Sequence, residues 1–201
     1  MVSFIGSPNG LNSVFKVAAA LKKSDLSDRM RKILLGDPQV QELVSLRWQP
    51  EYRSLEELKS LPEGTLGNLY ASQLLSLNLS PDDLLPTEPV VSDDDYLELR
   101  LRQTHDIVHI LTGFGTTPVD EIGLQAFNLA LYKAPLAALL IFGSILKALK
   151  SSEKIDIDAL LVAISKGFLM GEKSKLLVGQ KLEEQWERNI EDLRREYNIE
   201  L

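Results

Sequence analysis

Apolar positions along this chain recur with the period of helices, and a start signal stands where most of the apolar stripes begin. Asp37-Pro38 sets an N-cap before a proline at the first helical position. Ser54-Leu55-Glu56-Glu57 has the spacing of a capping box, and Thr117-Pro118-Val119-Asp120 combines both kinds of signal. Ser92 precedes Asp93-Asp94-Asp95, acids that suit the positive end of a helix dipole and need no further role. Strand signals are scarce. The pattern predicts helices over about 11–23, 27–35, 38–46, 54–60, 66–79, 93–112, 118–132, 135–150, 156–171 and 174–197. The clearest loop is Leu77 to Ser92, with three prolines; it sets a smaller N-terminal helical layer apart from the rest. There is no internal repeat. The expected fold class is all-α, one multi-helix domain over 1–201 with a central apolar helical hairpin.

That hairpin is the most hydrophobic part of the chain. From Ile107 to Leu146 the only formally charged side chains are Asp120, Glu121 and Lys133, so the stretch is expected to be mostly buried. Both histidines of the chain, His105 and His109, lie inside it or at its edge.

Composition narrows the class. The 201 residues, 44% hydrophobic and 25% charged, fit one soluble globular domain able to bury a core. The absence of cysteine removes disulfides, thiolate nucleophiles and sulfur ligands, and is compatible with a reducing cytosol. A net charge of −7 argues against a nucleic-acid partner. The one locally basic stretch, Lys22 to Lys32, is diluted by two aspartates and reads as a solvated helix face, with an anionic membrane surface as the second reading. The opening residues show neither a secretory nor a transit pattern. The longest strongly apolar uncharged segment, Ala134 to Leu146, falls short of the roughly 20 residues a membrane span needs. The expected location is cytoplasmic and at most peripheral to a membrane.

On a helix His105 and His109 differ by about 40° in azimuth, one turn apart on one face, with Asp106 about 60° from His109. Gly113 suits the end of that helix and Pro118 the start of the next. Glu121 then lies about one turn into the second helix, level with His109 across an antiparallel hairpin. Two imidazoles, a carboxylate beside them and one opposite can converge on a divalent cation; zinc, iron and manganese suit those donors. A plain hydrogen-bonded histidine pair is the competing reading. The apolar surroundings and the cost of burying a carboxylate without a counter-charge weigh toward the cation.

Gln125, Asn128 and Tyr132 lie within about 40° of Glu121 on the second helix, an amide and phenol stripe that reads as support for the site or as head-group recognition, with an ordinary partly exposed face as the competing reading. The other sides carry Ile122, Leu124, Phe127, Leu129 and Leu131. Glu98 and Arg102 have the i, i+4 spacing of a surface ion pair; the alternative gives Arg102 an anionic substrate group to hold.

Other chemistries fit poorly. A protease helix of the H-E-x-x-H type needs glutamate where Asp106 stands. Paired E-x-x-H motifs, a nucleophile elbow and a phosphate-binding glycine loop following a strand are all missing.

His105-Asp106-x-x-His109, then eleven residues, then Glu121 resembles the signature of the ubiquinone-biosynthesis family called coenzyme Q biosynthesis protein 4. "RLRQT", "LTGFGT" and "APLAALLIFG" are similar to the flanking parts of that family. "WERNIEDLRREYNI" resembles its C-terminal helix and tail, and "LPEGTLGNLYASQL" fits its N-terminal half more weakly. Asp120 departs from the pattern, which tends to have a small residue there. The resemblance implies a metal, usually taken as zinc with iron, manganese or magnesium as alternatives, held by His105, Asp106, His109 and Glu121. It implies a role in replacing the ring carboxyl of a polyprenylated 4-hydroxybenzoate-type acid, or in organising other quinone-pathway enzymes at a membrane face. A groove for the prenyl chain within Ile107 to Leu146 would follow, with a plain hydrophobic core as the competing reading, and a homodimer is open.

Overall fold

The structure, a computed structural model, describes residues 16, 17, 20, 21, 24–51, 53–85, 89–150 and 156–201. Ten α-helices run along the described chain: α1 (Asp28–Gly36), α2 (Pro38–Leu46), α3 (Leu55–Lys59), α4 (Leu66–Leu77), α5 (Asp93–Gln103), α6 (His105–Thr112), α7 (Pro118–Tyr132), α8 (Pro135–Ala148), α9 (Ile157–Lys173) and α10 (Ile190–Glu196). Short 3₁₀ turns intervene, including one at Pro81–Leu84 inside the expected loop. Among the described residues the only β feature is an isolated bridge between Thr65 and Asn189, so the all-α class holds. The expected helix over 11–23 falls largely outside the described residues.

The caps explain the starts. Asp37 accepts hydrogen bonds from the Gln39 and Val40 amides ahead of α2. Ser54 with Glu57 and Ser92 with Asp95 form reciprocal capping boxes at α3 and α5, and Thr117 accepts from the Asp120 amide at α7.

Two compact units emerge from the contacts. Among the described residues, one comprises Phe114–Lys175 with those up to Leu34 and Leu201; the other comprises Leu35–Gly113 with Leu176–Glu200. In the first, α7 packs on α9 and α8 around Ile122, Ala126, Ile141 and Leu160. The α7–α9 contact is backbone to backbone. A Cβ at Gly167 would stand 2.0 Å from the Gly123 carbonyl oxygen, and one at Gly171 would stand 2.5 Å from the Phe127 carbonyl oxygen. Gly123 in turn accepts the ring of Phe114, whose Cε1 would be 2.3 Å from an added Cβ.

The second unit has α3, α4 and α6 packed together with α10 against α6. Its largest fully buried side chains include Tyr96, Tyr197 and Arg100. Arg100 donates to both carboxylate oxygens of Glu183, at 2.7 and 3.2 Å, and to the Gln180 carbonyl; its guanidinium also lies 4.9 Å from the Trp48 ring centroid.

Three expectations are corrected. The predicted helix over 174–197 is two 3₁₀ turns, Leu177–Gly179 and Leu182–Glu184, and then α10 alone. Tertiary contacts override local preference there. Gly179 runs so close to α2 that a Cβ would meet Val40 Cγ2 at 2.9 Å. The Leu66 and Gly67 amides donate to Arg188 and Trp186, and the Ile190 amide donates to Gly64. The predicted single helix over 93–112 is broken at Thr104, whose hydroxyl donates to the Arg100 carbonyl at 2.8 Å, a back-bond that bends helices. Finally, Ile107–Leu146 is not buried throughout. Only Ala137, Ile141 and Ser144 of α8 are buried, and Leu139, Phe142 and Leu146 are exposed. The α8 face away from α7 has no covering layer among the described residues.

The close α7–α9 approach gives a paired prediction. Gly167→Ala is expected to destabilise the protein by about 1–3 kcal/mol or more, because backbone must move to admit the methyl. Gly143→Ala, helical and with open space around its Cα, is expected to stabilise by about 0.5–1 kcal/mol. Urea denaturation of the two variants measures both signs.

Candidate metal centre

Helix α6 is short and buried almost all round: His105, Ile107, Val108, His109, Ile110, Leu111 and Thr112 are buried, and Asp106 alone is half-buried. It starts at the Thr104 break and ends at Gly113, whose φ of 69° is the left-handed conformation glycine adopts without strain. The i, i+4 spacing does what the helical period requires. The Nε2 atoms of His105 and His109 are 3.2 Å apart, with ring centroids at 4.7 Å and planes at 89°.

Burial first, and the neighbouring His109 second, hold the His105 imidazole well below its ordinary value. A neutral imidazole has a free lone pair, which is the form that binds a cation.

Glu121 lies in the first turn of α7, where its amide donates to the Thr117 carbonyl at 2.9 Å, and its side chain is buried. Five residues, 113–117, connect the two helices. His105, His109 and Glu121 are all buried, and their side chains are of the kind that could hold a metal ion. That donor set suits a divalent cation: two nitrogen lone pairs for affinity and one carboxylate for charge.

Asp106 stands outside this group of three. It follows His105 by one residue, hence about 100° round the helix. Burial first, and the Asp106 charge second, push the phenol of Tyr70 on α4 up. Asp120, the residue that departs from the family pattern, is also outside the group. Its Oδ2 accepts from the Thr117 hydroxyl at 2.6 Å and its amide donates back to that hydroxyl at 3.2 Å, so it closes the cap of α7. Arg102 forms the expected ion pair with Glu98. Gln125 and Asn128 are half-buried on α7, and burial pushes the phenol of the buried Tyr132 up.

Two contributors to α6 were not legible beforehand. The Ile110 and Leu111 carbonyls at its C-terminal end accept from the Arg194 guanidinium at 3.0 and 2.9 Å. Arg100, in its buried pair, supplies the carbonyl that Thr104 bonds. Neither arginine carries a sequence signal that separates it from neighbouring surface arginines, because the partners are about 80 residues away.

Comparison with known proteins agrees with the motif. A family model described as "Coenzyme Q (ubiquinone) biosynthesis protein Coq4" matches residues 5–201. The chain is 33% identical over 178 residues to the mitochondrial ubiquinone biosynthesis protein COQ4 of Coccidioides immitis, covering 86% of this chain and 60% of that protein. It is 27% identical to the mitochondrial COQ4 homolog of Aedes aegypti over 100% of this chain and 69% of that one. The chain thus spans about three fifths to two thirds of the length of these relatives. A crystal structure of a candidate ubiquinone biosynthesis protein from Nostoc punctiforme matches with a TM-score of 0.84 and 32% identity, covering 98% of this chain and 94% of that one. No helix of the described residues is long and apolar enough to cross a membrane. The cytoplasmic expectation finds no support, since both curated relatives are named as mitochondrial.

A pH dependence follows from the depressed His105. In the unfolded chain it takes up its proton near 6.5, whereas in the folded chain it stays neutral to well below that value. The unfolded state therefore binds more protons as pH falls below about 6.5, and stability is lost on acidification. The folding constant of cation-free protein is expected to drop up to about tenfold per pH unit across that window. Denaturation series at several pH values, repeated on His105→Gln, measure this; a slope unchanged in the variant contradicts it.

Proposed function

Because the chain belongs to the coenzyme Q (ubiquinone) biosynthesis protein Coq4 family, we propose that it is a metal-binding protein of isoprenoid-quinone biosynthesis. It binds a polyprenylated aromatic acid and promotes decarboxylation at the ring. The observation that carries this reading is the buried histidine pair, with the Nε2 atoms of His105 and His109 3.2 Å apart.

A divalent cation there, zinc in our assignment, supplies Lewis-acid polarisation of the ring oxygens and offsets charge as the carboxylate leaves. His105 and His109 hold it by ring-nitrogen lone pairs, and Glu121 lowers the cost of keeping a double charge out of water. Asp106 is the fourth donor that the family resemblance implies. Arg102 is assigned to an anionic group of the acid, and the Gln125, Asn128 and Tyr132 stripe to its polar head. The bond pair of the departing carboxylate stays on the ring carbon, which then takes a proton.

A lipid substrate requires access from a membrane surface. In the unit that carries α8 and α9, Leu139, Phe142, Leu146, Leu149, Val162 and Leu169 are exposed; that much apolar surface favours peripheral contact with lipid. The same observation favours a second reading, a carrier or scaffold that holds a prenyl lipid and gathers other quinone-biosynthesis enzymes, as monomer or homodimer, without turnover.

Native mass spectrometry and a decarboxylation assay test both. The wild-type protein is expected to retain about one divalent cation per chain. His109→Ala is expected to lose it with little change in helix content by circular dichroism. Carbon dioxide release from a prenylated 4-hydroxybenzoate supports the enzyme; bound lipid without product supports the carrier. A cation kept at full occupancy by His109→Ala contradicts the site.

A further inference from the structure

The two histidines sit on an eight-residue helix, and a helix that short is not stable by itself in water. Its first residue follows the Thr104 break and has no side-chain cap. The last four carbonyls of any helix lack partners within it; in α6 they belong to His109, Ile110, Leu111 and Thr112. The Gly113 amide takes the His109 carbonyl. Arg194 takes the next two. Its Nε donates to Leu111 at 2.9 Å and its Nη2 to Ile110 at 3.0 Å, while Nη1 is held 2.5 Å from Glu191 Oε1. A planar guanidinium with fixed donors suits two adjacent carbonyls, and a cation suits the negative end of the helix dipole. Arg194 itself is firmly placed: its side chain is 14% exposed, and Asn189 caps α10 by accepting from the Glu191 amide.

We propose that Arg194 is a positioning residue for the cation site: by closing the C-terminal turn of α6 it holds His109, one turn from that end, at the 3.2 Å separation from His105. This role rests on the cation reading above. Without the guanidinium the last turn of α6 loses two hydrogen bonds and frays backward toward His109, so the donor pair loses its fixed geometry while the remaining core is untouched.

Cobalt(II), followed by its d–d absorption and by competition with zinc, reports ligand geometry and affinity in the full chain. Titrations compare wild type, Arg194→Met, Arg194→Lys and Arg195→Met, each with a thermal melt of the cation-free form. Arg195 is the control, since its side chain is 79% exposed and its ion pair with Asp192 lies within α10. Arg194→Met is expected to weaken cobalt binding about tenfold or more, the range for residues that orient ligands, and to change the absorption. Arg194→Lys, which can serve one carbonyl at a time, is expected to fall between it and wild type, and Arg195→Met to match wild type. A lowered melting temperature with affinity and spectrum unchanged in Arg194→Met leaves only a structural role and overturns the proposal. Should Arg194→Met fail to fold, Arg194→Lys decides, and unchanged affinity in it is equally fatal. No cobalt binding by wild type overturns the cation reading and the positioning role with it, whereas wild-type binding with indifferent Arg194 variants overturns the positioning role alone.

Discussion

Two imidazoles whose Nε2 atoms stand 3.2 Å apart in a buried setting cannot both be cations. Desolvation and mutual repulsion act in the same direction, and they keep His105 neutral. The pair therefore has two stable conditions: one ring donating to the other, or both lone pairs directed at a third party that accepts them. Everything functional here follows from that restriction. It disfavours a second proton on the pair, and the cation site proposed above requires α6 to hold both rings at that separation.

The local architecture meets that requirement by unusual means for so short a helix. A threonine back-bond ends α5 just before His105, glycine ends α6 after Thr112, and a distant arginine closes the open carbonyls. Around it, a buried ion pair between Arg100 and Glu183 fastens the irregular segment after residue 176 to α5. Buried pairs of this kind contribute little net stability against an apolar replacement but cost several kcal/mol when one partner is removed, so Arg100 acts more as a selector of chain path than as glue.

The other unit solves a different problem. Backbone contact between α7 and α9, through Gly123, Gly167 and Gly171, concentrates the packing on one side of α7. The outer faces of α8 and α9 keep Phe142, Leu146, Val162 and Leu169 in solvent. Burial of those side chains would be favourable by tens of calories per mole for each square ångström, so their exposure marks the face where contact with lipid or another protein is most rewarding.

Much of this was legible in the amino-acid order alone. The bounds of α2 and α7, the capping box of α3, the acidic start of α5 after Ser92, the end of α6 at Gly113 and the shared face of His105 and His109 all follow from interactions spanning four residues or fewer, which sequence displays directly. The Glu98–Arg102 pair is of the same kind. What only tertiary structure decided depends on partners far along the chain. The segment after residue 174 has helical periodicity, yet its backbone is claimed by residues 64–67 and by α2. Apolar character marked α8 for burial, but the number of neighbours available left half of it uncovered. Asp106 and His105 are adjacent in sequence, yet a helix turns each successive side chain by about 100° to a new face, and sequence alone does not say what that face meets. Local chemistry writes where helices begin and which residues share a side; only the assembled fold determines what each side touches.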